Sequence, residues 1–135
     1  MPTGADEAIG PSGPVASPRS GVTVQGLALV AVGAGTGAVA RYGVELLFPG
    51  WPALWLVNLI GSALLGVLVG ATARSAGKGR RLNPLLGTGL LGGFTTFSTA
   101  AVAATTPAGF AYLVVMTLGC AVCAAAGWWL GMRSR

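Results

Sequence analysis

Apolar residues run through this chain in long blocks separated by short polar stretches. Residues 21–40, 46–73 and 82–132 contain no charged side chain. About 20 apolar residues in a helix cross the hydrocarbon core of a bilayer. The first two blocks hold one such span each, and the third is long enough for two. It divides at Thr105-Thr106-Pro107-Ala108-Gly109, where proline fixes φ, removes a donor and pushes the residue before it out of the α region. The pattern therefore predicts an all-α integral membrane protein with four transmembrane helices, at about 23–46, 52–73, 83–104 and 109–132. Short connections make neighbouring helices antiparallel.

Residues 1–20 differ in kind. Pro2, Pro11, Pro14 and Pro18 alternate with Gly4, Gly10 and Gly13, and Ile9 and Val15 are the only bulky aliphatics. Such a segment buries too little apolar surface to order itself, so a disordered tail over 1–20 is expected to precede a four-helix membrane domain at 21–135. Asp6 and Glu7 stand before a full-length span, unlike a secretory signal with its basic start and short apolar run, and no cleavage is expected.

Composition agrees with the spans: 53% of residues are hydrophobic and 8% charged, against roughly a quarter charged in soluble domains. Charge adds an orientation. Arg19, Arg74, Lys78, Arg80, Arg81, Arg133 and Arg135 fall on one side of a four-span topology, and Arg41 alone falls toward the other. Short cytoplasmic loops carry the excess of Lys and Arg. Both termini are therefore expected in the cytoplasm, with the chain in the cell (inner or plasma) membrane. The net charge of +5 needs no nucleic acid, because the basic residues flank helices without forming a patch. Topology and contact with anionic membrane lipid account for them.

The polar residues at membrane depth carry the candidate chemistry. Residues 92–99 read Gly-Gly-Phe-Thr-Thr-Phe-Ser-Thr. Hydroxyls and loosened backbone are tolerated in a bilayer only where they face protein or line a cavity. Adjacent glycines followed by adjacent threonines predict a break in the third helix. Asn58 is costly in lipid and must face the bundle interior, bonding another helix or meeting a substrate. Arg41 either snorkels to the interface or draws anions toward a vestibule. Phe97 either packs in the core or turns its partly positive ring edge to an anion. Gly33, Gly35, Gly37, Gly61 and Gly66 suit close helix packing. Cys120 and Cys123 lack the histidines or second cysteine pair of a metal site and are expected to pack as small apolar groups. With no histidine, no carboxylate pair and no nucleophile–base arrangement, an enzyme is not expected.

The run at 92–99, together with Val57-Asn58-Leu59-Ile60-Gly61-Ser62 and Gly37-Ala38-Val39-Ala40-Arg41-Tyr42, resembles the fluoride channel family called Fluc or CrcB. The match follows the family's order across three of the four helices. The resemblance implies an antiparallel dimer, fluoride as the permeant ion, and pores at the dimer interface. It implies pore roles for Asn58, Thr96, Phe97, Ser98, Thr99, Tyr112 and Arg41. It also implies a central sodium ion as cofactor, held by the backbone carbonyls of Gly92 and Thr95.

The residues suit that chemistry. Fluoride is small and strongly hydrated, so a selective passage must supply close donors and avoid carboxylates. Asn58, Ser62, Thr95, Thr96, Ser98 and Thr99 supply amide and hydroxyl groups, and Glu45 is the only acidic residue in the predicted helices. The chain also departs from the family. Ala100 replaces the second pore phenylalanine, Ala103 a common glutamate, and Met116 and Cys120 stand where hydroxyls often continue a polar track from Tyr112. A homodimer of opposed chains needs little charge bias, whereas this chain is strongly biased, so the expected partner is a second, oppositely oriented homologous subunit. The alternatives are a non-conducting partner subunit and a small four-helix multidrug or cation exporter. The exporter would need a carboxylate deep in the first helix, and Glu45 lies near its end.

Overall fold

The computed structural model describes residues 23–73 and 83–133. The disordered tail expected over 1–20 and the basic 74–81 loop lie outside the described residues. The elements are α1 (Val24–Leu47), α2 (Trp51–Ala73), α3 (Pro84–Leu91), α4 (Gly92–Phe94), α5 (Ser98–Ala103) and α6 (Pro107–Arg133). Four stretches are long and apolar enough to cross a membrane: Val24–Leu47, Trp51–Ala73, Pro84–Val102 and Pro107–Arg133. The third is composite, running through α3, α4 and part of α5.

Local chemistry fixes the ends. Thr23 caps α1 by accepting the Gly26 N–H at 3.1 Å. Thr106 accepts the Gly109 N–H at 3.1 Å in the same way. The last helix therefore begins at Pro107, two residues before the expected start, because the fixed φ of proline suits a first helical position and its missing donor is not needed there. Gly50, with φ of +84°, turns the chain between α1 and α2 through a conformation that other residues resist.

The helices associate as two intimate pairs, α2 with α6 and α1 with α3–α4, joined by sparser contacts of α2 with α1, α3 and α4. Glycines make the pairs intimate. A Cβ on Gly66 or Gly70 of α2 would strike the Ala124 or Trp128 carbonyl of α6. Gly127 and Gly131 of α6 face the Ala63 and Val67 carbonyls of α2 in return. Gly33 and Gly37 of α1 similarly meet the Leu85 and Leu90 carbonyls of α3. The expected packing role thus holds for Gly33, Gly37, Gly61 and Gly66. Gly35 has nothing within 4 Å because it projects from the opposite side of α1.

Two features of the third span depart from a regular helix. First, α3 is π-wound, and the Gly92 N–H donates back to the Gly87 carbonyl, five residues earlier. Second, the break falls on Thr95–Phe97 rather than on the glycines. Gly92 and Gly93 remain helical in α4, with Gly93 pressed on Ala34 of α1. Thr95 then swings to φ −78°, ψ 155°.

Since the colliding atoms at Gly127 belong to backbone, Gly127→Val should destabilise the fold by about 1–3 kcal/mol, the usual cost of overpacking. Gly35→Val should be near neutral. Thermal unfolding of both variants in detergent, beside the wild type, measures the difference.

Candidate functional site

Extended backbone at Thr95 releases Thr96 from the helical ladder. Thr95 still donates its N–H to the Leu91 carbonyl at 3.1 Å, but the next amide has another partner. The Thr96 N–H donates to Asn58 Oδ1 at 2.8 Å, and Asn58 Nδ2 donates to the Thr96 carbonyl at 3.0 Å. A backbone N–H must meet oxygen and a carbonyl must meet the amide nitrogen, so these contacts fix the orientation of the Asn58 side chain. Asn58 is 5% exposed and Thr96 9%. The carboxamide of α2 thus stands in for a turn of helix in the third span.

A recess of about 170 Å³ opens beside this clamp, lined by Asn58, Thr95, Thr96, Phe97, Met116, Thr117 and Cys120. The second Nδ2 hydrogen of Asn58 goes to the thioether of Met116, at 3.5 Å. Phe97 is 64% exposed, so within one chain it is not a core residue. The Thr96 hydroxyl lies 3.2 Å from that of Ser98 and 3.3 Å from that of Thr99. Thr99 in turn lines a second recess, of about 290 Å³, with Arg41, Glu45, Pro49, Gly50 and Leu54. A polar line therefore runs from Asn58 through Thr96 and Thr99 to the Arg41 recess. There Arg41 pairs with Glu45 one turn along α1, at 3.3 Å, while its buried Nε has no hydrogen-bond partner among the described residues.

Tyr112 stands apart from both recesses. Its hydroxyl donates to the Trp51 carbonyl at 3.4 Å. Its ring meets Trp51 edge-on at a centroid distance of 4.0 Å and Trp55 at 5.7 Å. Tyr112, Met116 and Cys120 nonetheless succeed one another at four-residue spacing along one face of α6. Ala100 is fully buried and lines neither recess, which leaves Phe97 as the aromatic residue beside Asn58.

Gly92 and Thr95 line a third, open recess of about 390 Å³, with Leu65, Leu68, Val69, Asn83, Gly87, Thr88 and Leu91. The helical donor for the Gly92 carbonyl would be the Thr96 N–H, which Asn58 has taken, and Thr95 is extended. Neutral carbonyl oxygen is the donor type that a hard monovalent cation accepts, so the residues fit sodium in kind. Two carbonyls make an incomplete shell.

The structure brings Asn58, Thr96 and Phe97, which the sequence marks as candidates, to one recess, with the Ser98 and Thr99 hydroxyls beside that of Thr96. It did not bring forward Thr117, or the tryptophans around Tyr112. The spacing of Met116 and Cys120 from Tyr112 was legible, but the apolar character of Met116 hid its place at the Asn58 amide.

The family described as CrcB-like protein, Camphor Resistance (CrcB) matches residues 28–132. A protein named fluoride-specific ion channel FluC 1 from Corynebacterium diphtheriae is 41% identical over 105 residues, covering 78% of this chain and 93% of that one. Its namesake in Streptomyces coelicolor is 41% identical over 116 residues, 74% of each chain. Another in Corynebacterium jeikeium is 44% identical over 100 residues, 62% of this chain and 71% of that one. The match takes in every described helix with the Asn58 clamp at its centre, and this multi-pass membrane protein belongs to the CrcB family.

Proposed function

We propose that the chain is a subunit of a fluoride-selective channel through which cytoplasmic fluoride leaves passively. The observation that carries this reading is the recess at the break in the third span. A buried carboxamide, neighbouring hydroxyls and an exposed phenyl ring meet there at membrane depth, and no carboxylate lines the recess. Those groups replace water around a small anion without repelling it. The polar line through Thr96, Ser98 and Thr99 continues the passage, and the Arg41 guanidinium draws anions to its vestibule. Tyr112 heads the α6 wall. Hydrogen fluoride crosses membranes as a neutral acid and ionises at cytoplasmic pH. An inside-negative potential of about 100 mV then favours fluoride exit by about 2.3 kcal/mol per charge, and no chemical coupling is needed. The pairing of Glu45 with Arg41 argues against an exporter, which needs a free carboxylate at depth.

An antiparallel dimer completes the site in this reading. A second chain would cover the exposed Phe97, and its own Gly92 and Thr95 carbonyls would double the oxygens offered to a structural sodium ion. The biased distribution of Arg and Lys favours a second homologous subunit of opposite orientation, with the termini of this chain cytoplasmic. The burial of Ala100 away from the recess favours a second reading, in which this chain supports a partner's conduction without conducting itself.

Fluoride efflux from liposomes containing the full chain, with a potassium ionophore and a chloride-loaded control, tests the proposal. Selective efflux is expected from this chain with its partner subunit, and from the chain alone if it is self-sufficient. Chloride leakage would count against the channel assignment. Phe97→Leu should slow efflux by up to about tenfold, the equivalent of an aromatic contact of 0.5–1.5 kcal/mol, without moving the unfolding temperature. Asn58→Leu should lower both, because the orphaned Thr96 N–H and C=O cost about 1–3 kcal/mol each. A supporting subunit would tolerate both changes in flux.

Replacing Arg74, Lys78, Arg80 and Arg81 with Gln should let a measurable share of chains insert inverted, as read by a topology reporter fused to the C-terminus. A wild-type chain already present in both orientations would rule out the fixed-orientation partner.

A further inference from the structure

The Asn58 amide is fully committed on one side and weakly held on the other. Its oxygen and one amide hydrogen are bound to the backbone of Thr96, at 2.8 and 3.0 Å. The remaining hydrogen meets Met116 Sδ at 3.5 Å. A thioether is a weak acceptor. This hydrogen is therefore the only amide donor of the clamp that an incoming anion can take without dismantling the helix break, and it borders the recess lined by Met116, Thr117 and Cys120. Met116 itself is 3% exposed, so packing holds the sulfur in place.

We propose that Met116 is a positioning and specificity-determining residue whose sulfur acts as the resting acceptor for the second Asn58 amide hydrogen. This rests on the fluoride-channel reading. An anion is admitted to the Asn58 donor only by outcompeting the thioether. Fluoride, the strongest hydrogen-bond acceptor among the halides, gains much in the exchange. Chloride, larger and a weaker acceptor, gives up less hydration on entry but gains little over sulfur. The sulfur thus does two things. It keeps a buried donor from standing unpaired between ions, which would cost about 1–3 kcal/mol, and it sets the threshold that an entering ion must exceed. An amide oxygen at the same place would hold the donor more tightly, and a purely aliphatic side chain would leave it open to any anion of suitable size.

Two substitutions of similar size separate this role from packing. Met116→Leu removes the acceptor, and Met116→Gln strengthens it. With nitrogen-15 labelling of the full chain in detergent, the Asn58 side-chain amide resonance should move on titration with sodium fluoride and stay fixed in sodium chloride. In Met116→Gln the midpoint should rise about tenfold, which corresponds to about 1.4 kcal/mol. In Met116→Leu it should fall severalfold, and chloride should now move the resonance. Liposome efflux should show the same order, with the fluoride-to-chloride ratio smallest in Met116→Leu. A purely structural Met116 predicts that both variants shift the midpoint in the same direction, or leave it unchanged, and either result overturns the proposal. So does a wild-type Asn58 resonance that fluoride does not move. If that resonance responds as expected while liposomes holding this chain together with its partner subunit show no efflux, the channel reading fails and the role of Met116 at the anion site stands.

Discussion

A bilayer offers no water to an unpaired peptide group, and the break at Thr95–Phe97 exists because Asn58 takes over that duty. Its carboxamide presents an acceptor and a donor in the geometry of a missing helical turn. The rest of the site depends on this substitution. Thr95 can become extended, the Gly92 carbonyl loses its helical donor, the hydroxyls of Thr96, Ser98 and Thr99 gather at the start of α5, and Phe97 projects outward. The cost of burying polar groups is therefore concentrated on one side chain and the backbone it binds.

The surrounding bundle holds this arrangement in register. Asn58 lies on α2, Thr96 beyond α4, and Met116 on α6, so three elements must be fixed to within tenths of an ångström for the contacts to form. The interlocked glycines of α2 and α6 set one of these distances. Gly61 of α2, against the Thr95 side chain, and Gly93, against Ala34, set the others. Small residues at such crossings supply van der Waals contact where the hydrophobic effect gives little help. The π-wound start of the third span allows α3 to track α1 closely and still deliver Thr95 to α2, since an inserted residue rotates the downstream side chains relative to an ordinary helix.

Much of this is legible in residue order alone, and the reasons differ by element. The four spans are legible because blocks without charge leave few alternatives. The pairing of Asn58 with the third span is half legible, since a buried amide demands a partner, but which backbone group it meets depends on tertiary placement. Residue order points to a break somewhere in Gly92-Gly93-Phe94-Thr95-Thr96, without saying which residues leave the helix. In the bundle, close contact with Ala34 keeps Gly93 helical, and β-branched Thr95 takes the extended conformation. The π-winding of Pro84–Leu91 leaves no trace in hydropathy, because it changes hydrogen-bond partners and not the apolar pattern. Met116 is masked for a similar reason, as its chemistry at the amide comes from one sulfur lone pair on an otherwise apolar side chain.

The reciprocal notches between α2 and α6 bear on how such a chain diverges. In most packed cores an enlarged side chain can be accommodated when its neighbour shrinks, so paired changes drift together over time. Here the atoms facing Gly66, Gly70, Gly127 and Gly131 are main-chain carbonyls, which no codon change can trim. That seam has no compensating partner to mutate, and sequence variation is forced outward to the lipid-facing sides of the same helices.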